Sequence, residues 1–176
     1  MLNRQTRDTS LKRAALLLLL HAFIIALAPA QRARAQEAIY LVRHAERLDQ
    51  STDSPLSTDG VGRAIRLREM LRGAGVTHIF TTELRRTIET AKPLADALRL
   101  APQQLPGADV RPLAARLAAL MPPGRVLVVG HSNTVPELLR ALNVTTPVTI
   151  GDAEFDNLFI VVPRKEAPPI LLRLKY

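Results

Sequence analysis

An α/β fold, a three-layer αβα sandwich with a mainly parallel central sheet, is predicted by three observations. Short β-branched runs alternate along the chain with longer amphipathic stretches, the order that lays helices on both faces of a parallel sheet. Two of those runs, Ala38 to Val42 and Val126 to Val129, are apolar at every position, as a strand covered on both sides must be. Between the runs lie Gly- and Pro-marked turns, with no repeat, no low-complexity tract and no second pattern, so one domain is expected.

The elements follow in order. The opening strand, Ala38 to Val42, stops abruptly at Arg43-His44, and a polar stretch without periodicity, 47–54, comes after it. Ser57 is a good N-cap for a helix over 58–72, in which Ile65, Leu67, Met70 and Leu71 make one apolar face. Gly73 and Gly75 end that helix. Residues 76–82 (VTHIFTT) read as the second strand and 84–98 as the second helix. Pro93, inside the second helix, predicts a kink there or a break just before it. Residues 99–111 are loop-like, with Pro102, Pro106, Gly107 and a short strand near Gln104. A small Ala/Leu helix over 112–120 is stopped by Pro122-Pro123-Gly124. Residues 126–130 are the clearest central strand, and 133–142 a helix with Pro136 in its first turn. Late strands at 157–162 and 170–174 are joined through 163–169 as a hairpin or edge connection.

The first 35 residues stand apart from this pattern. Arg4, Arg7, Lys12 and Arg13 face a single acid, Asp8; residues 14–27 are apolar but for His21; then come Ala28-Pro29-Ala30 and Ala33-Arg34-Ala35. Charged, apolar and small-x-small regions in that order make a secretory signal peptide, and the apolar run falls short of the roughly 20 residues that span a bilayer. The expected boundaries are a signal peptide over 1–35 and a single domain over 36–176, periplasmic or secreted, with no stable membrane span after cleavage. An uncleaved anchor is the alternative. The formal charge of +8 owes much to this segment, because it holds six of 24 Lys and Arg but one of 16 Asp and Glu. That leaves 18 basic against 15 acidic residues, a net +3, which indicates no nucleic-acid partner. The absence of cysteine excludes disulfides and thiol catalysis.

Each of the three best strands ends in residues suited to an anion: Arg43-His44, Thr82-Glu83-Leu84-Arg85-Arg86, and Gly130-His131-Ser132-Asn133. In a parallel sheet these ends share one edge, and helices starting there aim N–H groups at the same place. Arginines, histidines and helix N-termini converging on one point suit a phosphoryl group. A serine hydrolase is disfavoured, since Ser132 lacks the Gly-x-Ser-x-Gly elbow. A metal site is disfavoured too, because no His-x-x-His, His-Glu-x-x-His or acidic cluster accompanies the histidines.

These motifs resemble those of the histidine phosphatase superfamily, in its small phosphoglycerate-mutase-like branch. Arg43-His44-Ala45 is similar to the family's Arg-His-Gly, and Thr82 to Ala91 to its Ser-x-Leu-x-Arg-x-x-x-Thr-Ala, a match that selects Arg86 rather than Arg85. Gly130-His131-Ser132 is similar to its Gly-His-(Gly/Ser/Asp), and Pro55 to Gly60 to its Pro-Leu-(Ser/Thr)-x-x-Gly phrase. Ala45 departs from the usual glycine. The resemblance implies a phosphatase acting on phosphomonoesters or phosphohistidine, with His44 as nucleophile and Arg43, Arg86, His131 and Ser132 as phosphate ligands. No metal and no organic cofactor is implied; the partner is a small phosphorylated substrate. Two carboxylates, Glu46 and Asp109, are open as general acid. A mutase or phosphotransferase of the same superfamily and a non-catalytic binder of phosphorylated ligands are the alternatives.

Overall fold

The computed structural model describes residues 37–107, 109–120 and 124–176. The expected signal peptide and the stop at Pro122 and Pro123 lie outside them. Strands are β1 (Ala38–Arg43), β2 (Val76–Thr81), β3 (Gln103–Gln104), β4 (Arg125–Gly130), β5 (Asn157–Val162) and β6 (Ile170–Lys175). Helices are α1 (Thr58–Leu71), α2 (Arg85–Leu98), α3 (Arg111–Ala119) and α4 (Thr134–Ala141). The strands form one sheet in the order β3-β2-β4-β1-β5-β6. The first four run parallel, while β5 and β6 run antiparallel to their neighbours. This is the mostly parallel, helix-flanked sheet that the alternating pattern predicts.

The alternation of side chains along β1 divides the core into two layers. Tyr40 and Val42 join Leu67, Leu71, Ala91, Leu94 and Ala95 under α1 and α2, with Ile79, Leu127 and Val129 beside them. Ile39 and Leu41 join Phe80, Val126 and Val128 against Leu117, Val135, Leu138 and Leu139 of α3 and α4. Every residue of β1 is buried, as its unbroken apolar run requires. Burying a side chain such as Leu41 or Val42 contributes about 1.5–3 kcal/mol, so β1 and β4 are the rigid floor from which the strand ends project.

Registration then aligns those ends. Arg43 lies opposite Gly130, and Thr81 opposite Val129. The residues just past β1, β2 and β4 therefore emerge together on one edge of the sheet, where α2 and α4 begin.

Several boundaries differ from the sequence reading. Helix α2 is continuous through Pro93, so the expected break does not occur. Pro93 cannot donate to the carbonyl of Glu89, but Ala91, Leu94 and Ala95 around it are buried, and their packing outweighs one lost hydrogen bond. The same helix ends at Arg99 in the left-handed region (φ 55°), whose N–H reaches the carbonyls of Ala95 and Asp96; no glycine marks this cap. Ser57 caps α1 as expected, its side chain accepting the Gly60 N–H at 3.1 Å. Helix α4 starts at Thr134 with Asn133 as its N-cap, and the Thr134 hydroxyl accepts the His131 N–H at 2.9 Å.

Candidate active site

His44 is held from both sides of the chain. Its N–H donates to the carbonyl of Gly130 at 2.9 Å, extending the β1–β4 ladder by one bond. Its Nδ1 lies 2.8 Å from the carbonyl of Ala45. A carbonyl only accepts, so the proton of the neutral ring sits on Nδ1 and the lone pair on Nε2. The fully buried Ala45 donates its N–H to Thr90 Oγ1 at 2.9 Å, and the Thr90 hydroxyl donates to the carbonyl of Arg86 at 2.6 Å. One turn of α2 thus fixes the backbone beside the histidine.

His131 arrives from the end of β4, its ring centroid 5.3 Å from that of His44. Gly130 before it is required for close packing: a Cβ there would stand 2.9 Å from Thr134 Oγ1 and 3.1 Å from Val135 Cγ2. His131 Nε2 is 3.2 Å from Thr82 Oγ1, at the end of β2. Ser132 follows in the turn into α4.

Two arginines flank the pair. Arg43, 9% exposed, donates from Nη1 to the carbonyls of Gly151 and Asp152 at 2.9 Å each, and its guanidinium carbon lies 4.0 Å from the centre of the Phe155 ring. Arg86 donates from Nη1 to the carbonyl of Thr52 at 2.7 Å. The Nε atoms of both are buried without a hydrogen-bond partner, a costly condition for a cationic donor. Burial, reinforced by the charges of His131, Arg86 and Arg43, pushes the His44 pKa down to about 3, even though the bond to Ala45 opposes it. Burial and then the charge of Arg86 bring His131 down to about 4, with Glu83 opposing. Both imidazoles are neutral at physiological pH.

The two carboxylates singled out in the sequence are held by other partners. Glu46 accepts from Arg63 Nε at 2.9 Å on each oxygen, and Arg63 also donates to the carbonyl of Tyr176 at 3.0 Å. Burial works to raise Glu46, but the hydrogen bonds and charge of Arg63 outweigh it and keep the carboxyl below its ordinary value. Asp109 accepts from the Arg111 backbone N–H at 2.8 Å and from its guanidinium, bonds that hold it below its ordinary value too. Asp109 does line a narrow cavity with Thr82, Gly107, Gly130 and Thr134. Sequence reasoning passed over Thr82 and Thr90, which were legible only as motif positions, and Phe155, which no local pattern marks. It also passed over Glu83, whose carboxylate accepts the Gly107 N–H at 3.0 Å beside His131. Among the described residues, no group of three or more His, Asp or Glu side chains is arranged to hold a metal ion.

The sheet is phosphoglycerate-mutase-like in fold, and paired histidines and arginines stand at one edge of it. Residues 39–109 match the model of the histidine phosphatase superfamily, branch 1. Relatives include the protein named probable phosphoglycerate mutase GpmB from Proteus mirabilis (strain HI4320), 41% identical over 68 residues, 35% of this chain and 32% of that one. Its namesake in Yersinia pestis (strain Pestoides F) is 41% identical over 69 residues, with the same coverage. The match spans about a third of these curated relatives' length. Among solved structures, the protein histidine phosphatase SixA complexed with tungstate shares the fold at a TM-score of 0.67 and 22% identity, covering 78% of this chain and 96% of that one. Mycobacterial glucosyl-3-phosphoglycerate phosphatase shares it at 0.59 and 18% identity, covering 71% and 89%.

Proposed function

We propose that the chain is a phosphatase that hydrolyses phosphomonoesters or phosphohistidine through a covalent phosphohistidine on His44. The observation that carries this reading is the 2.8 Å contact between His44 Nδ1 and the Ala45 carbonyl, which leaves the Nε2 lone pair available at the cationic sheet edge. Nε2 attacks phosphorus in line, and the bond to the leaving group breaks with its electron pair. Water then attacks phosphorus, the N–P bond breaks, and inorganic phosphate leaves. Arg43, Arg86, His131 and Ser132 hold the phosphoryl oxygens as charge redistributes; each donor lost costs about 3 kcal/mol of barrier. The unpaired Nε donors of Arg43 and Arg86 suit such an anion.

Glu46 and Asp109 are ionised partners of arginines, so neither is poised to hand over a proton at neutral pH. This favours leaving groups that need little protonation, such as the imidazole of phosphohistidine or an aryl oxide, over alkoxides. A mutase reading has the names of the curated relatives behind it, and differs in returning the phosphoryl group to substrate rather than to water. A pure binder has no use for a nucleophile. The proposed place of action is the periplasm or the exterior, on the strength of residues 1–35 alone. The test is phosphate release from an aryl phosphate, a phosphohistidine peptide and an alkyl phosphate, each with and without EDTA. Release from the first two that exceeds the third and survives chelation supports the reading. No release from any of them, or a loss that added zinc or magnesium restores, rejects it.

A further inference from the structure

We propose that Thr82 is a positioning residue that selects the tautomer of His131, through a hydroxyl relay running from Thr87 to Thr82 to His131 Nε2. The inference rests on the proposed reading in that His131 is taken as a donor to the phosphoryl group.

A neutral imidazole has one N–H, and which nitrogen bears it decides what the ring can do. His131 Nε2 is committed to the β2 side. It lies 3.2 Å from Thr82 Oγ1, and a Cβ built on Gly107 would come within 3.4 Å of it. Nδ1 is the nitrogen left to face a phosphoryl oxygen. To donate there, Nδ1 must carry the proton, and Nε2 must then accept one from Thr82.

The hydroxyl chain permits this. Thr82 Oγ1 is 2.9 Å from Thr87 Oγ1, and it accepts the Leu84 N–H at 3.3 Å. If Thr87 donates to Thr82, Thr82 has two donors pointing at it and its own proton free for Nε2. The competing arrangement has Thr87 donate to the carbonyl of Leu84 at 2.8 Å or of Thr82 at 3.1 Å, Thr82 donate to Thr87, and Nε2–H donate to Thr82. The Leu84 carbonyl already accepts the backbone N–H groups of Thr87 at 3.0 Å and Ile88 at 3.3 Å, so it does not need the hydroxyl. The competing arrangement would also aim the Nδ1 lone pair at the phosphoryl oxygen, two acceptors against each other. An anion at the sheet edge therefore selects the relay that runs toward His131. Thr82 and Thr87 are both buried, at 7% and 0% exposure, so water does not compete for these protons.

The experiment is a long-range proton–nitrogen spectrum of the full chain with labelled histidine, recorded with and without inorganic phosphate, on wild type, Thr82→Val and Thr82→Ser. His131 in wild type with phosphate should be the Nδ1–H tautomer. Thr82→Ser should keep both that signature and kcat/KM to within a few-fold. Thr82→Val should lose the tautomer preference and about tenfold to a hundredfold in kcat/KM, the scale of a mispositioned transition-state donor. An Nε2–H tautomer in the phosphate-bound wild type would overturn the relay, as would a Thr82→Val protein with wild-type spectrum and rate. The wild-type spectrum needs neither a folded variant nor turnover. A chain that bound phosphate but released none would sink the phosphatase reading and still report the tautomer.

Discussion

Neutral histidines beside two arginines are the residue-scale basis of the proposed chemistry, and they carry a pH signature. An ordinary histidine titrates near 6.5, whereas His44 is held at about 3 and His131 at about 4. Their NMR titration midpoints are expected below about pH 5, and kcat/KM, corrected for ionisation of the substrate, should show no acid limb near 6.5. Midpoints close to 6.5 would contradict the burial account. The linkage has a definite sign. Below pH 6.5 the unfolded chain takes up protons at these two positions while the folded one does not, so their contribution to stability is complete above 6.5 and is lost as pH falls toward about 4 for His131 and about 3 for His44. Arg86 was chosen over Arg85 by motif resemblance, while the placing of Arg43, His44 and His131 was legible in the sequence because each sits at or just past the end of a strand, where a parallel sheet collects ligands. The fate of Glu46 was not. Its partner Arg63 is 17 residues away on α1, and a carboxylate looks the same in sequence whether an arginine holds it or a substrate meets it.

At the scale of elements, the phrase Pro55 to Gly60 acquires a physical reason. Helix α1 begins against the backbone just beyond His44, and a Cβ on Gly60 would clash with the Glu46 carbonyl oxygen. Gly60→Ala should therefore push residues 45–47 away from α1. The expected loss in urea denaturation is about 1–3 kcal/mol, the usual cost of overpacking, together with a fall in kcat. Wild-type stability would mean that the backbone yields there at little cost. The continuous apolar runs of β1 and β4 made these strands readable, since burial on both faces leaves no polar position. The sequence left a kink or a break at Pro93 open within the 84–98 helix, and the left-handed cap at Arg99 was not readable. Both depend on packing against α1 and the sheet, which local propensity does not contain.

For the whole molecule, topology is what brings His44 and His131 together. The order β2-β4-β1 places the ends of three parallel strands side by side, so residues remote in sequence meet at one edge. The alternating pattern implied that edge, and the 163–169 link already read as a hairpin or edge connection, but the antiparallel seating of β5 on β1 and the approach of Phe155 to Arg43 required the folded chain. The N-terminal pattern has a separate outcome to offer: protein recovered from the periplasm should begin at or near Gln36, and Met1 intact on membrane-bound protein would favour an anchor. The claim that organises the whole account is that His44 carries the phosphoryl group. Brief exposure to labelled aryl phosphate, quenched by denaturation in alkali, is expected to trap one acid-labile, alkali-stable adduct on His44. His44→Ala should give no adduct and essentially no turnover, and His131→Ala should form and lose the adduct slowly while remaining folded. Label on Ser132, or full activity in His44→Ala, would contradict it.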